Sequence, residues 1–397
     1  MKFKIIKIKV ETLTPVHIGC DDFYEPTSFV IDPETNHLYY LSLWNLIENL
    51  QNDDWHELNK ISEIKGPKAL IELYKFYCYR ILPKIKNFYI KKVLRIPSDL
   101  GKRYVELLKL NRDKDILQNF NRLAIPRTYY NPLTEEPIIP GSSLKGSIRT
   151  AYLEALYKQQ LKNGKVKMEI EEVIKKIQNI NLSTKRKEIS QIAQELEKKL
   201  LNYKDVKEDC FKLLKCSDLR PERTVNTQIL YQINLSKNIA NQGGTQRAKL
   251  SIPVEVIPKG QVFYGEIKLE EPLNGNIKHN ITLKDLLNSI NTRYANLLHS
   301  ELKILKQYGI TFSFNSRQVQ AIRENKGILL KIGKHSGAEA VTIEGLRKIL
   351  IKGPGGRKLY KDSATTFWVA SPSKEILNEA LPFGWVMLYI EEVLDKQ

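Results

Sequence analysis

The first pattern along the chain is strict alternation. Between residues 4 and 14, Ile6, Ile8 and Val10 fall on one side and Lys7, Lys9 and Glu11 on the other. This period of two predicts a half-buried strand. It runs into Thr14-Pro15-Val16-His17-Ile18-Gly19, a Pro-to-Gly turn that leaves His17 at the strand's end. Residues 28–32 and 38–41 predict a hairpin around Asp32-Pro33-Glu34-Thr35-Asn36, a polar turn sequence. From Leu43 to about Arg95 the period becomes helical, interrupted at Pro83. Trp44, Trp55, Tyr74, Phe76, Tyr77 and Tyr79 sit at helical spacing there, which predicts core positions rather than a ligand platform.

The middle of the chain is organised around residues 138–156. Pro140-Gly141 signals a turn, Ser142 and Ser143 are N-cap types, and Leu144, Ile148, Ala151 and Ala155 recur at helical spacing. Lys145 and Arg149, four apart, share another edge of this helix. A helix N-terminus with free N–H groups, two hydroxyls and two cations suits a phosphate. It equally suits a capped core helix with solvated cations. Residues 157–215 predict a helical insertion, with one apolar face at Ile170, Val173, Ile174 and Ile177 and another at Ile189, Ile192, Leu196 and Leu200.

Residues 217–249 read as an irregular basic excursion containing one candidate strand, Gln228 to Ile233. Alternation at Leu250, Ile252, Val254 and Val256, the turn Ile257-Pro258-Lys259-Gly260 and the apolar return from Val262 predict a second hairpin. A helix follows from about Leu283 to Gln307. A short strand then enters the loop Gly333-Lys334-His335-Ser336-Gly337. A second glycine-rich basic loop holds Arg357 and Lys358, and a strand from Gly384 closes the pattern. Hairpins interleaved with helices predict an α+β fold with largely antiparallel sheets.

Charge changes the picture more than composition does. In 397 residues Lys and Arg total 63 against 45 Asp and Glu, a net charge of +18. An excess of that size points to a polyanionic partner, most often nucleic acid. The four cysteines form no C-x-x-C pair and have no histidine at ligand spacing, so free thiols in a reducing cytoplasm are expected and no metal or cofactor is implied. No apolar run approaches a membrane span, and the first residues lack the apolar core of a signal peptide.

Four stretches, taken in order, resemble the RAMP superfamily of CRISPR-associated proteins. They are Thr14 to Gly19; Ile139-Pro140-Gly141-Ser142-Ser143-Leu144-Lys145-Gly146 followed by Arg149; Glu255 to Phe263; and Gly333 to Gly337 with Pro382-Phe383-Gly384-Trp385. Within that superfamily the length and wording resemble the fifth-subunit family of type III-A (Csm) effector complexes. The resemblance implies two ferredoxin-like (RRM-like) modules, residues 1–245 with helical insertions at about 43–125 and 157–215, and residues 246–397. It implies a single-copy subunit contacting the 3′ part of CRISPR RNA beside other Csm subunits, the backbone RAMP subunit above all. It also implies a role in CRISPR RNA maturation through host nucleases rather than by cutting. Candidate RNA contacts are His17, Ser142, Ser143, Lys145, Arg149, Arg247, Lys249, Lys334, His335, Arg357 and Lys358.

A catalytic alternative needs a general base near a ribose hydroxyl, and histidine is the usual choice. His17 and His335 stand in loops. The remaining histidines stand in a turn or in polar helical surroundings. Asp21, Asp22 and Asp32 belong to no recognisable metal cluster, and Asp32 before Pro33 reads as a turn residue. The reading is therefore a non-catalytic RNA-binding subunit, with a metal-independent endoribonuclease as the alternative.

Overall fold

The computed structural model describes residues 2–162, 166–237, 251–272, 277–352 and 354–396. The opening alternation forms the strand Phe3–Thr12, with Ile6, Ile8 and Val10 buried. It lies inside a six-stranded antiparallel sheet, between Val262–Glu270 and Trp385–Lys396. Leu214–Cys216 and Arg220–Pro221 pair beyond the former, and Gly327–Lys331 beyond the latter. Helices Gly141–Lys162 and Leu283–Gln307 pack on each other and share this sheet's core. Strand 3–12, helix 141–162, strands 214–216 and 262–270, helix 283–307 and strand 327–331 follow one another as β-α-β-β-α-β, the succession of a ferredoxin-like unit. Trp385–Lys396 is inserted between 327–331 and 3–12.

The second sheet has seven strands and does not repeat that succession. Its path runs Leu381–Pro382, Thr366–Ser371, Gln228–Ser236, Ile90–Arg95, His37–Leu41, Phe29–Asp32, with Ser251–Val256 also on Gln228–Ser236. The expectation of two ferredoxin-like modules is corrected accordingly. The division at 245/246 is corrected too, because both sheets take strands from both sides of it. A strand ladder is satisfied only by its neighbour's backbone, so these pairings join the two stretches into shared sheets.

Two local expectations also change. Strands Ser251–Val256 and Val262–Glu270 are not a hairpin but belong to different sheets. The turn between them hooks onto the end of the first strand. Gly260 N donates to Thr12 O at 2.6 Å, Gln261 N to Thr12 Oγ1 at 2.9 Å, and Ile257 bridges Val16. Residues 90–95, expected within a helical stretch, form a strand because His37–Leu41 offers a ladder. The 28–41 hairpin forms as expected. Tyr74, Phe76 and Tyr77 enter the second sheet's core, whereas Trp44 and Tyr79 stay 81% and 68% exposed. The 157–215 insertion forms helices Met168–Gln178 and Arg186–Leu200, with Ile170, Val173, Ile177, Ile192, Leu196 and Leu200 buried.

Candidate nucleic-acid interface

Three of the four motif stretches are knitted together by backbone hydrogen bonds. Val16 and Ile257 exchange both bonds, at 3.0 and 2.8 Å. Gly384 N donates to Pro15 O, Ile332 N to Gly384 O, and Lys334 N to His17 O, each at 2.9 Å. Ser147 Oγ donates to Lys331 O at 2.8 Å and ties the 141–162 helix to the same knot. Residues hundreds of positions apart thus share one centre, and a cleft of about 350 Å³ opens on it. Gly19, Ser142, Ser143, Gly146, Ser147, Gly333, Lys334 and Ser336 line it, with Asp21 as the one acid among the described residues. Small residues leave backbone and hydroxyl groups within reach of a ligand. Lys334 is exposed and forms no ion pair among the described residues.

Two glycines explain why this chemistry needs no side chain at their positions. Gly333 has φ 93°, and a Cβ there would stand 2.6 Å from His17 O. A Cβ on Gly141 would stand 2.2 Å from Cys216 O. The second contact seats the helix start against strand 214–216.

A family model for the RAMP superfamily matches residues 9–337. The chain belongs to the RAMP superfamily. It is 24% identical, over 98% of its length and 89% of the relative's, to the CRISPR system Cms protein Csm5 of Methanocaldococcus jannaschii. Its fold is similar to the crystal structure of T. onnurineus Csm5, with a TM-score of 0.51 and 17% identity over 95% of this chain and 99% of that one. It is also similar to a chain in the cryo-EM structure of a Csm–crRNA–target RNA ternary complex of a type III-A system, with a TM-score of 0.50 and 19% identity over 98% and 100%.

In this RAMP chain the expected contacts separate into groups. Ser142, Ser143 and Lys334 reach the cleft. The serines do not cap the helix, because it already begins at Gly141, whose N–H is held by Asp218 Oδ1 at 2.9 Å. Pro140 O accepts from Ser143 N at 2.9 Å, so the serines lie inside the first turn. Arg149 lies away from the cleft, ion-paired to Glu197 at 2.7 Å and Asp209 at 2.9 Å, its guanidinium over Phe211. Lys145 is half-buried near Cys216. Arg357 and Lys358 are exposed beside the hairpin Ile349–Lys352/Lys358–Lys361 and do not line the cleft. Arg247 and Lys249 lie outside the described residues.

The histidines sit beneath the cleft rather than in it. His17 is 1% exposed, its Nδ1 2.7 Å from Glu255 O, and its ring stacks on His335 at 5.3 Å. The carbonyl accepts, so Nδ1 carries the proton and Nε2 is left without a partner. Trp368 and Phe383 flank His335. Burial lowers the pKa of both rings, that of His335 to about 3 with help from His17. Both are neutral at pH 7.

The sequence reading missed the charges that hold this region. Glu255, fully buried, accepts from Tyr24 Oη, Lys92 Nζ, Thr227 Oγ1 and Thr128 N. Arg127 is sandwiched among Tyr24, Tyr40 and Tyr130 and pairs with Glu135 and Asp22. Arg293 pairs with Glu154 and donates to the carbonyls of Glu339, Ala340 and Thr342, pinning the cleft's outer wall. Lys331 pairs with Glu301, which also accepts from Trp385 Nε1. A charge inside an apolar strand, as at Glu255 and Lys331, was the available signal. Among the described residues no cluster of three or more metal-ligating side chains occurs, and no helix is long and apolar enough to cross a membrane.

Proposed function

We propose that this chain is the Csm5-type subunit of a type III-A CRISPR effector complex and holds the 3′ part of CRISPR RNA without cutting it. The relatives' names support the assembly, since one solved neighbour is a chain of a Csm–crRNA–target RNA complex. The observation that carries RNA binding is the convergence of three motif stretches on one cleft, with the 255–263 stretch held beneath it through His17. That cleft presents hydroxyls, glycine backbone and the exposed Lys334. Phosphate is the group such a lining suits. Sister Csm subunits, the backbone RAMP subunit foremost, are the protein partners, and maturation proceeds through host nucleases.

The non-catalytic reading rests on the histidines. A general base must reach the proton it abstracts, and His17 is buried, locked to Glu255 O and stacked under His335. The purified chain is to be incubated with labelled repeat RNA in EDTA, beside its His17→Ala variant. Binding without cleavage is expected. Specific cutting that disappears in the variant would overturn the reading in favour of a metal-independent endoribonuclease. Affinity insensitive to salt would instead make the chain a protein scaffold.

A further inference from the structure

The insertion at 43–125 contributes nothing to the motif cleft, yet it forms one wall of another. A cavity of about 630 Å³ opens between the helices Ser98–Leu107 and Asp113–Asn121, the start of strand Ser251–Val256, and the loop carrying Lys374. Its charged lining among the described residues is Arg103, Arg122 and Lys374, with no carboxylate. Asn119 and Ser251 add polar groups. One acid touches the cluster: Asp99, 3.3 Å from Lys374. Arg103 and Arg122 form no ion pair among the described residues, whereas Arg127, Arg149 and Arg293 are each held by carboxylates.

Three cations converging on an open cavity against one acid create a local positive potential that a polyanion complements. Two of them are arginines, whose planar forks match phosphate oxygens. The position favours RNA over an acidic protein. Strand Ser251–Val256 begins in this cavity, and its Glu255 carbonyl holds His17, next to Ile18 and Gly19 of the motif cleft. Four residues of strand span roughly 13 Å, a separation within the reach of an extended RNA strand of a few nucleotides. We infer that this cavity is a second phosphate-binding surface for single-stranded RNA, added by the insertion and extending the path of the strand held at the motif cleft. The inference rests on the RNA-binding reading above.

The test uses the full chain and fluorescently labelled oligouridylates of about 4 and about 16 nucleotides, lengths that bracket common single-strand sites, over a salt series. For the longer RNA, Arg103→Ala with Arg122→Ala is expected to flatten the slope of log affinity against log salt by about 1.4, two phosphate contacts at ~0.7 each. The advantage of the longer RNA over the shorter should shrink with it. Lys334→Ala should flatten the slope by about 0.7 and add to the double variant. A wild-type slope in the folded double variant overturns the inference while a Lys334 effect leaves the proposed function standing. No Lys334 effect beside a flattened double variant overturns the motif-cleft reading and, with it, the continuous path. A double variant that keeps its slope but loses assembly with sister subunits assigns the cavity to protein contact and also overturns it. Should the double variant not fold, exposed Arg122→Gln alone is expected to flatten the slope by about 0.7, and a wild-type slope there counts against the inference.

Discussion

Gly333 lets the His17 carbonyl approach the loop that carries Lys334. Gly333→Ala meets both a left-handed φ of 93° and a 2.6 Å contact with that carbonyl. It is expected to cost about 1–3 kcal/mol, seen as a lowered urea midpoint at unchanged m. The two histidines give a pH signature at the same scale. Their folded pKa values lie below the unfolded value of about 6.5, so below pH 6.5 the unfolded chain binds more protons. Their contribution to stability is therefore fully present above pH 6.5 and falls as acid is added, for His335 between about 6.5 and 3, by at most about 1.4 kcal/mol per pH unit for each ring. The melting temperature of His335→Gln should fall less steeply from pH 6.5 to 4 than that of the wild type. Parallel curves would show that the ring does not titrate as its burial requires.

At the scale of elements, the 141–162 helix does two jobs with different faces. Its first turn opens on the cleft through Ser142 and Ser143, while Arg149 clamps the 157–215 insertion through Glu197 and Asp209. Arg149→Ala leaves two carboxylates facing a half-buried gap. A loss of about 1–3 kcal/mol is expected, between the values for surface and buried pairs, with the salt slope of RNA binding unchanged. Lys334→Ala should do the opposite, weakening RNA binding with the melting temperature intact. If Arg149→Ala flattened the slope and left stability alone, the assignment of the two cations would have to be exchanged. Spacing alone put Lys145 and Arg149 on one edge; it could not show that Glu197 and Asp209, 48 and 60 residues on, fold back to meet the second.

At the scale of the whole molecule, the shared sheets govern stability. Strand 3–12 is paired on both sides by strands from beyond residue 250, and strand 228–236 is paired by 251–256 and 366–371. Neither 1–245 nor 246–397 expressed alone can complete a sheet. Each fragment is expected to lack the cooperative thermal transition expected of the full chain. Calorimetry of the fragments checks this, and a cooperative melt in either one would restore the sequential two-domain division. Because edges left unpaired invite association, aggregation of both fragments is the accompanying expectation.

The sequence by itself determined the α+β class, the first strand, the 28–41 hairpin, the long helices and the motif stretches, because these follow from local periodicity and turn chemistry. It also determined the excess of positive charge. Tertiary structure alone decided which strands pair, why residues 90–95 extend, and why residues 251–270 divide between two sheets, since a ladder's partner is set by what lies alongside in space. It alone decided, too, which cations face solvent. Arg149, Arg127 and Arg293 find carboxylates, Lys334 finds none among the described residues, and His17 is drawn under the cleft by a carbonyl 238 residues away in the sequence. The four motifs were legible as words; that three of them line one cleft and the other supports it from beneath is a fact of the folded chain.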